Sequence, residues 1–212
     1  IFLVDRPDSP QSVLRVGKVG VERVTPDFFP LQILNTVLGG SFTSRLNQNL
    51  RERNGFTYGA SSSFAMRRAP GPFLVSTSVQ ADKTGAALGE ILSELEAIRK
   101  PIPEPELLKA RSYAAYSFPG EFETCTDLAA KVLEMQLYGL PDAYFSNYVA
   151  RLLEVDAAST ARAATRTLAL EEMALVVVGD ARVVTPQLEA LGLGPVRLLE
   201  VDEFLGPAVQ IP

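Results

Sequence analysis

Short stretches of the chain alternate apolar and polar residues with a period of two, and longer ones repeat apolar residues at helical spacing. Residues 1–5 and 12–21 read as strands, the second setting Val13, Arg15 and Gly17 against Leu14, Val16 and Lys18. The Pro-rich Arg6-Pro7-Asp8-Ser9-Pro10 between them predicts a hairpin turn, with residues 1–5 at a sheet edge. Thr25-Pro26-Asp27 supplies an N-cap, a Pro at the first helical position and an acid in the first turn. Leu31, Leu34, Val37 and Leu38 then share a helical face, and Gly39-Gly40 is expected to stop that helix by adopting positive φ. A shorter helix over 41–53 carries Leu46 and Leu50, with Gly55 where a left-handed C-terminal cap belongs.

Residues 58–67 and 72–80 form a strand pair around the turn Arg68-Ala69-Pro70-Gly71, with Arg67 and Arg68 as a solvated tip. The stripe Leu88, Ile91, Leu92, Leu95 and Ile98 predicts an amphipathic helix over 83–100. Four further helices are expected over 106–116, 125–138, 143–154 and 157–168. A wholly apolar strand over 173–178, a helix over 185–191 and a last strand over 196–201 complete the pattern. Two hairpins, a helical middle and a returning strand make an α+β fold, a largely antiparallel sheet with helices on one face.

Composition narrows the function. The 212 residues are 47% apolar, with 20 basic and 25 acidic residues and a net charge of −5, and no block of like charge occurs. Nucleic acid and anionic membrane both reward clustered Lys and Arg, so neither is an expected partner. No apolar run approaches the roughly 18 residues of a membrane span. The start at Ile1, inside a strand and without an initiator Met, suggests a piece excised from a longer chain. Cys125 is the one cysteine and is expected to be a small buried apolar residue. The chain has no histidine, so neither a zinc site rich in imidazole nor a His-assisted nucleophile can be built from it alone. Gly179-Asp180-Ala181 lacks the spacing of a phosphate-binding loop.

The informative stretch is Leu34-Asn35-Thr36-Val37-Leu38-Gly39-Gly40-Ser41-Phe42-Thr43-Ser44-Arg45-Leu46, followed by Asn49-Leu50-Arg51-Glu52-Arg53-Asn54-Gly55-Phe56-Thr57-Tyr58. It resembles the signature of the C-terminal domain of the M16 metallopeptidases, the family of pitrilysin, insulinase and the mitochondrial processing peptidase. Val4-Asp5-Arg6-Pro7 with Gln11-Ser12, then Phe122-Glu123-Thr124, then Leu137-Tyr138-Gly139-Leu140-Pro141-Asp142 with Tyr144 extend the likeness to roughly residues 1–180. Pro30 departs from it, standing in the first helix where the family favours a small residue.

The resemblance implies a LuxS/processing-peptidase-like half-domain over residues 1–212, cut from a longer chain with a homologous N-terminal domain. It implies a zinc-free half, facing a zinc-bearing M16 domain or subunit whose metal sits on a His-x-x-Glu-His motif, in a homo- or heterodimer enclosing a peptide substrate. No cofactor is expected in this chain, and the expected compartment is bacterial periplasm or cytoplasm. The half without zinc contributes an Arg and a Tyr seven residues apart, a spacing met here by Arg51 and Tyr58. A neutral phenol can donate a hydrogen bond to the oxyanion formed during peptide hydrolysis, and a guanidinium can hold a main-chain carbonyl. By residue type alone, the pair equally suits a helix-dipole partner and a half-buried aromatic. Gly39 and Gly40 acquire a second reading from the resemblance, a flexible loop that touches entering substrate. Two other functions stay open: a non-catalytic scaffold subunit of a larger assembly, and a module that adds a peptide strand to the sheet edge at residues 1–5.

Overall fold

A computed structural model describes residues 1–200. The strands are β1 (Phe2–Asp5), β2 (Gln11–Val19), β3 (Ala60–Phe64), β4 (Pro72–Gln80), β5 (Ala174–Gly179) and β6 (Arg197–Leu199). The helices are α1 (Phe28–Asn35), α2 (Thr84–Ala97), α3 (Glu104–Ser117), α4 (Cys125–Tyr138), α5 (Tyr148–Leu153), α6 (Ala157–Thr167) and α7 (Ala181–Glu189). One sheet runs in the order β3-β4-β2-β5-β1-β6. The pairs β3-β4, β4-β2 and β2-β5 are antiparallel, whereas β1 pairs parallel with β5 and with β6. The architecture is the expected α+β sandwich of a mostly antiparallel sheet and a helical layer.

Strand alternation divides the sheet into two unlike faces. Leu3, Leu14, Val16, Phe73, Val75, Val79 and Val177 point to the helices and are buried. Against them lie Ile33 and Leu34 of α1, Leu88, Ile91 and Leu95 of α2, and Val184 and Leu188 of α7, in one continuous core. The other face, bearing Val13, Arg15, Leu74, Ser76 and Val176, is no more than half-buried.

The hairpin expected from β1 and β2 does not form, because β5 inserts between them. The five-residue connection reaches across roughly 10 Å, two strand spacings, and is stitched to the end of the intruding strand. Arg6 N–H donates to the Gly179 carbonyl at 2.9 Å, and Asp8 N–H donates to the buried Asp180 carboxylate at 3.0 Å. Gly179 is required for the approach, since a Cβ there would stand 2.5 Å from Ser12 Oγ. β1 is therefore interior, and residues 1–5 offer no edge for an added strand; β3 and β6 flank the sheet among the described residues.

Capping explains several helix starts. Thr124 with Asp127 opens α4 and Asp156 with Ser159 opens α6, each as a reciprocal capping box. Asp180 caps α7, which therefore begins four residues ahead of the expected Thr185 and takes Pro186 into its interior. The Arg182 side chain donates twice to Asp180 and holds its carboxyl well below the usual carboxylate range, aided by the N–H groups of Asp8 and Arg182. The expected span of the last strand, 196–201, ends at a residue outside those described.

Cys125 is exposed, not buried. It lies on α4, which buries none of its residues among those described and leaves Leu128, Val132, Leu133 and Leu137 exposed. The apolar spacing there is helical as expected, but periodicity reports which residues share a face and not whether that face is covered.

Candidate functional site

The signature stretch does not fold as two plain helices. Beyond α1 the chain widens into a π-helical turn over Thr36–Gly40, and a second π-helical segment spans Asn47–Arg53. Neither Gly39 nor Gly40 has positive φ, so the expected left-handed stop is absent. What Gly39 permits is close packing: a Cβ there would collide with the main-chain nitrogen of Ser62 in β3 and lie 2.6 Å from Ser62 Oγ. Gly39 is buried beneath β3 and Gly40 is exposed. Ser62 Oγ in turn donates to Asn35 Oδ1 at 2.8 Å, tying the edge strand to the end of α1. Gly55, with φ +63°, takes the left-handed cap position expected of it.

Buried Asn47 joins the two loops of this region. Its Nδ2 donates to the Ser41 carbonyl at 3.2 Å and to Ser44 Oγ at 3.3 Å, while its Oδ1 accepts from Ala60 N–H at 2.9 Å. One amide thus fixes the turn that carries Phe42 and the start of the strand that follows Tyr58. Asn49, also buried, donates to Glu90 at 2.8 Å and to Glu94 at 2.7 Å, anchoring the same segment on α2.

Tyr58 is 92% exposed, with its flanks tied down. The Thr57 hydroxyl donates to the Gly59 carbonyl at 2.9 Å and accepts from Gly59 N–H at 3.0 Å, a small ring closed around Tyr58. The Thr77 hydroxyl of β4 sits 3.0 Å from Thr57 Oγ1 and 2.9 Å from the Gly59 carbonyl. The main chain beneath the phenol is therefore held by hydroxyls on both sides.

Arg51 lies in the last turn of the second π-helical segment, with its side chain 34% exposed. Its guanidinium stacks 4.4 Å from the ring centre of Phe42, itself 66% exposed, and its Nε is 3.5 Å from Glu52. Among the described residues no hydrogen bond joins Arg51 to Tyr58. The cation that shares a hollow with Tyr58 is Arg15 of β2: a concavity of about 270 Å³ is lined by Gln11, Arg15, Tyr58, Ser76, Thr77 and Ser78, with Thr57 and Gly59.

Of the residues expected from the sequence, Tyr58 stands at the surface, Arg51 is partly exposed, Gly39 is buried and Gly40 exposed; Arg15, Phe42 and Asn47, which the sequence did not single out, lie beside them. The strand alternation had placed Arg15 opposite Leu14 and Val16, which is the one signal that it faces outward. Nothing in the pattern marked Asn47, a polar residue on the buried side of a helix. No group of three or more His, Cys, Asp or Glu side chains is placed to hold a metal ion among the described residues. No helix there is long and apolar enough to cross a membrane.

Residues 1–113 match the description "Peptidase M16 inactive domain". Proteins of Rickettsia felis and Rickettsia bellii, each named an uncharacterized zinc protease, are 26% identical over 106 residues, half of this chain. The aligned part spans about a quarter (26%) of those relatives' own length. A peptidase M16 inactive domain from Pseudomonas fluorescens is 26% identical with a TM-score of 0.78, over 84% of this chain and 43% of that one. An inactive peptidase domain from Bordetella parapertussis shares the fold at 20% identity and a TM-score of 0.68, over 81% of this chain and 94% of that one. With more than half of its residues matched to the family and its fold shared along most of its length, the chain belongs to the peptidase M16 inactive-domain family.

Proposed function

We propose that the chain is the zinc-free half of a peptidase, presenting Tyr58 and Arg51 to a peptide held against a zinc-bearing domain or subunit. The supporting observation is an almost fully exposed phenol on a main chain pinned by Thr57, Thr77 and Asn47. Exposed aromatics generally gain nothing from a rigid mount, whereas a donor aimed at a transition state does, because preorganisation removes reorganisation from the reaction. The metal, when bound by the partner, supplies an activated water and polarises the scissile carbonyl. In this reading the Tyr58 hydroxyl donates to the developing oxyanion. Arg51, steadied by Phe42, donates to a substrate carbonyl further along the peptide. Gly40 leaves exposed main chain beside the same loop, and Gly39 acts only through its packing under β3.

The test is Tyr58→Phe in the enzyme reconstituted with its zinc-bearing half, assayed on a quenched fluorescent peptide. Turnover is expected to fall by about 10²–10³, as for loss of one oxyanion donor. Unchanged turnover rejects the role and leaves the scaffold reading in its place.

A further inference from the structure

We infer that the open face of the sheet is the floor of a peptide-binding channel, and that Arg15 at its centre selects peptides with a carboxylate side chain. The inference rests on the proposed peptidase reading only in placing peptide beside Tyr58.

Two hollows meet at Arg15. One is the polar concavity containing Tyr58, of about 270 Å³; the other, about 300 Å³, is lined by Gly17, Val19, Pro72, Leu74, Ala174 and Val176 among others. Together they form a trough from the Tyr58 loop across β4, β2 and β5. Arg15 lies in register with Ser76 of β4 on one side and Val176 of β5 on the other, so it occupies a central strand of the sheet. An exposed guanidinium there is surrounded by small and aliphatic neighbours. Among the described residues, its one side-chain hydrogen bond is to the Leu14 carbonyl at 3.0 Å, and no carboxylate pairs with it.

The charge pattern supports an anionic ligand. Among the described residues neither hollow has an Asp or Glu in its lining, although the chain as a whole carries a net charge of −5. Lys18, the other cation there, is already paired with Glu172. Arg15 therefore offers a forked donor set with free capacity, which suits a carboxylate bidentately. The aliphatic floor accommodates neighbouring apolar side chains, and the hydroxyls of Ser76 and Ser78 supply polar contacts toward Tyr58.

The test uses the 212-residue chain and fluorescein-labelled octapeptides differing only in a central Glu, Gln or Lys, followed by anisotropy at low ionic strength. The Glu peptide is expected to bind about tenfold more tightly than the Gln peptide, the scale of one charge-assisted hydrogen bond at a half-open site. Arg15→Gln should erase that gap, and Arg15→Lys should keep part of it. Ser76→Asp, which places a carboxylate directly across from Arg15, should erase it independently. A gap that survives Arg15→Gln, or no binding of any octapeptide, overturns the inference. So does a dimer in sedimentation that the Glu peptide fails to dissociate, which would give this face to a second copy. The charge preference is read in binding by this chain alone and the oxyanion role in turnover of the reconstituted enzyme, so failure of one is distinguished from failure of the other.

Discussion

Asn47→Ala tests whether one buried amide holds both functional loops in place. The substitution strands the Ala60 N–H, a buried donor 2.9 Å from Asn47 Oδ1, at a cost of about 1–3 kcal/mol. The two longer bonds, 3.2 Å to the part-buried Ser41 carbonyl and 3.3 Å to the buried Ser44 hydroxyl, have poorer geometry and add about 0.5 kcal/mol each. A loss of about 2–4 kcal/mol lowers the melting temperature of a domain this size by roughly 4–16 °C. Asn47→Asp sharpens the test. It keeps the acceptor for Ala60 but loses the donors and puts carboxylate oxygens against the Ser41 carbonyl, so it should also destabilise, with Ala60 N–H still protected. Thermal melts followed by circular dichroism give the stabilities, and amide hydrogen exchange at Ala60 separates the variants: fast in Asn47→Ala, slow in Asn47→Asp. An Asn47→Ala protein that melts within about 1 °C of the parent refutes the reasoning.

Gly39→Ala should destabilise by about 1–3 kcal/mol in the same melts, because the collision is with rigid main chain of β3 and outweighs the roughly 1 kcal/mol by which alanine favours a helix; a rise in melting temperature would show that β3 yields. The folded-state depression of the Asp180 carboxyl by Arg182 contributes stability that is complete above the unfolded value near 4 and is lost as pH falls below it. Asp180→Asn, which keeps a capping side chain, should therefore melt lower at neutral pH and lose less on acidification than the parent. Parallel pH profiles for the two proteins would count against that link.

The layers of this fold were legible because its strands and helices carry plain periodicities: Phe73, Val75 and Val79 alternate, and Leu88, Ile91 and Leu95 stripe a helix, so burial followed pattern. Pairing was not legible. Neighbouring strands usually pair, and nothing local to residues 1–21 announces that residues 174–179 lie between them; the cues are a glycine and an aspartate, Gly179 and Asp180, at the far end of the chain. The π-helical turns escaped because they use the same residues as α-helices and depend on how β3 packs on Gly39. Arg51 and Tyr58 were singled out only through the resemblance to a family motif, whereas Arg15 enters beside Tyr58 only once β2 and β4 are paired, which no local spacing encodes.

The insertion of β5 imposes a schedule on biosynthesis. β1 meets its first sheet neighbour only when residues 174–179 have emerged from the ribosome, and its second only with residues 197–199. Until then the nascent chain carries the apolar run Ile1-Phe2-Leu3-Val4 with no hydrogen-bonding strand beside it, a natural target for a holdase. The family-matched segment of residues 1–113 ends well short of that closure, so a protein truncated there would be a three-stranded remnant with an orphan strand in place of a foldable unit.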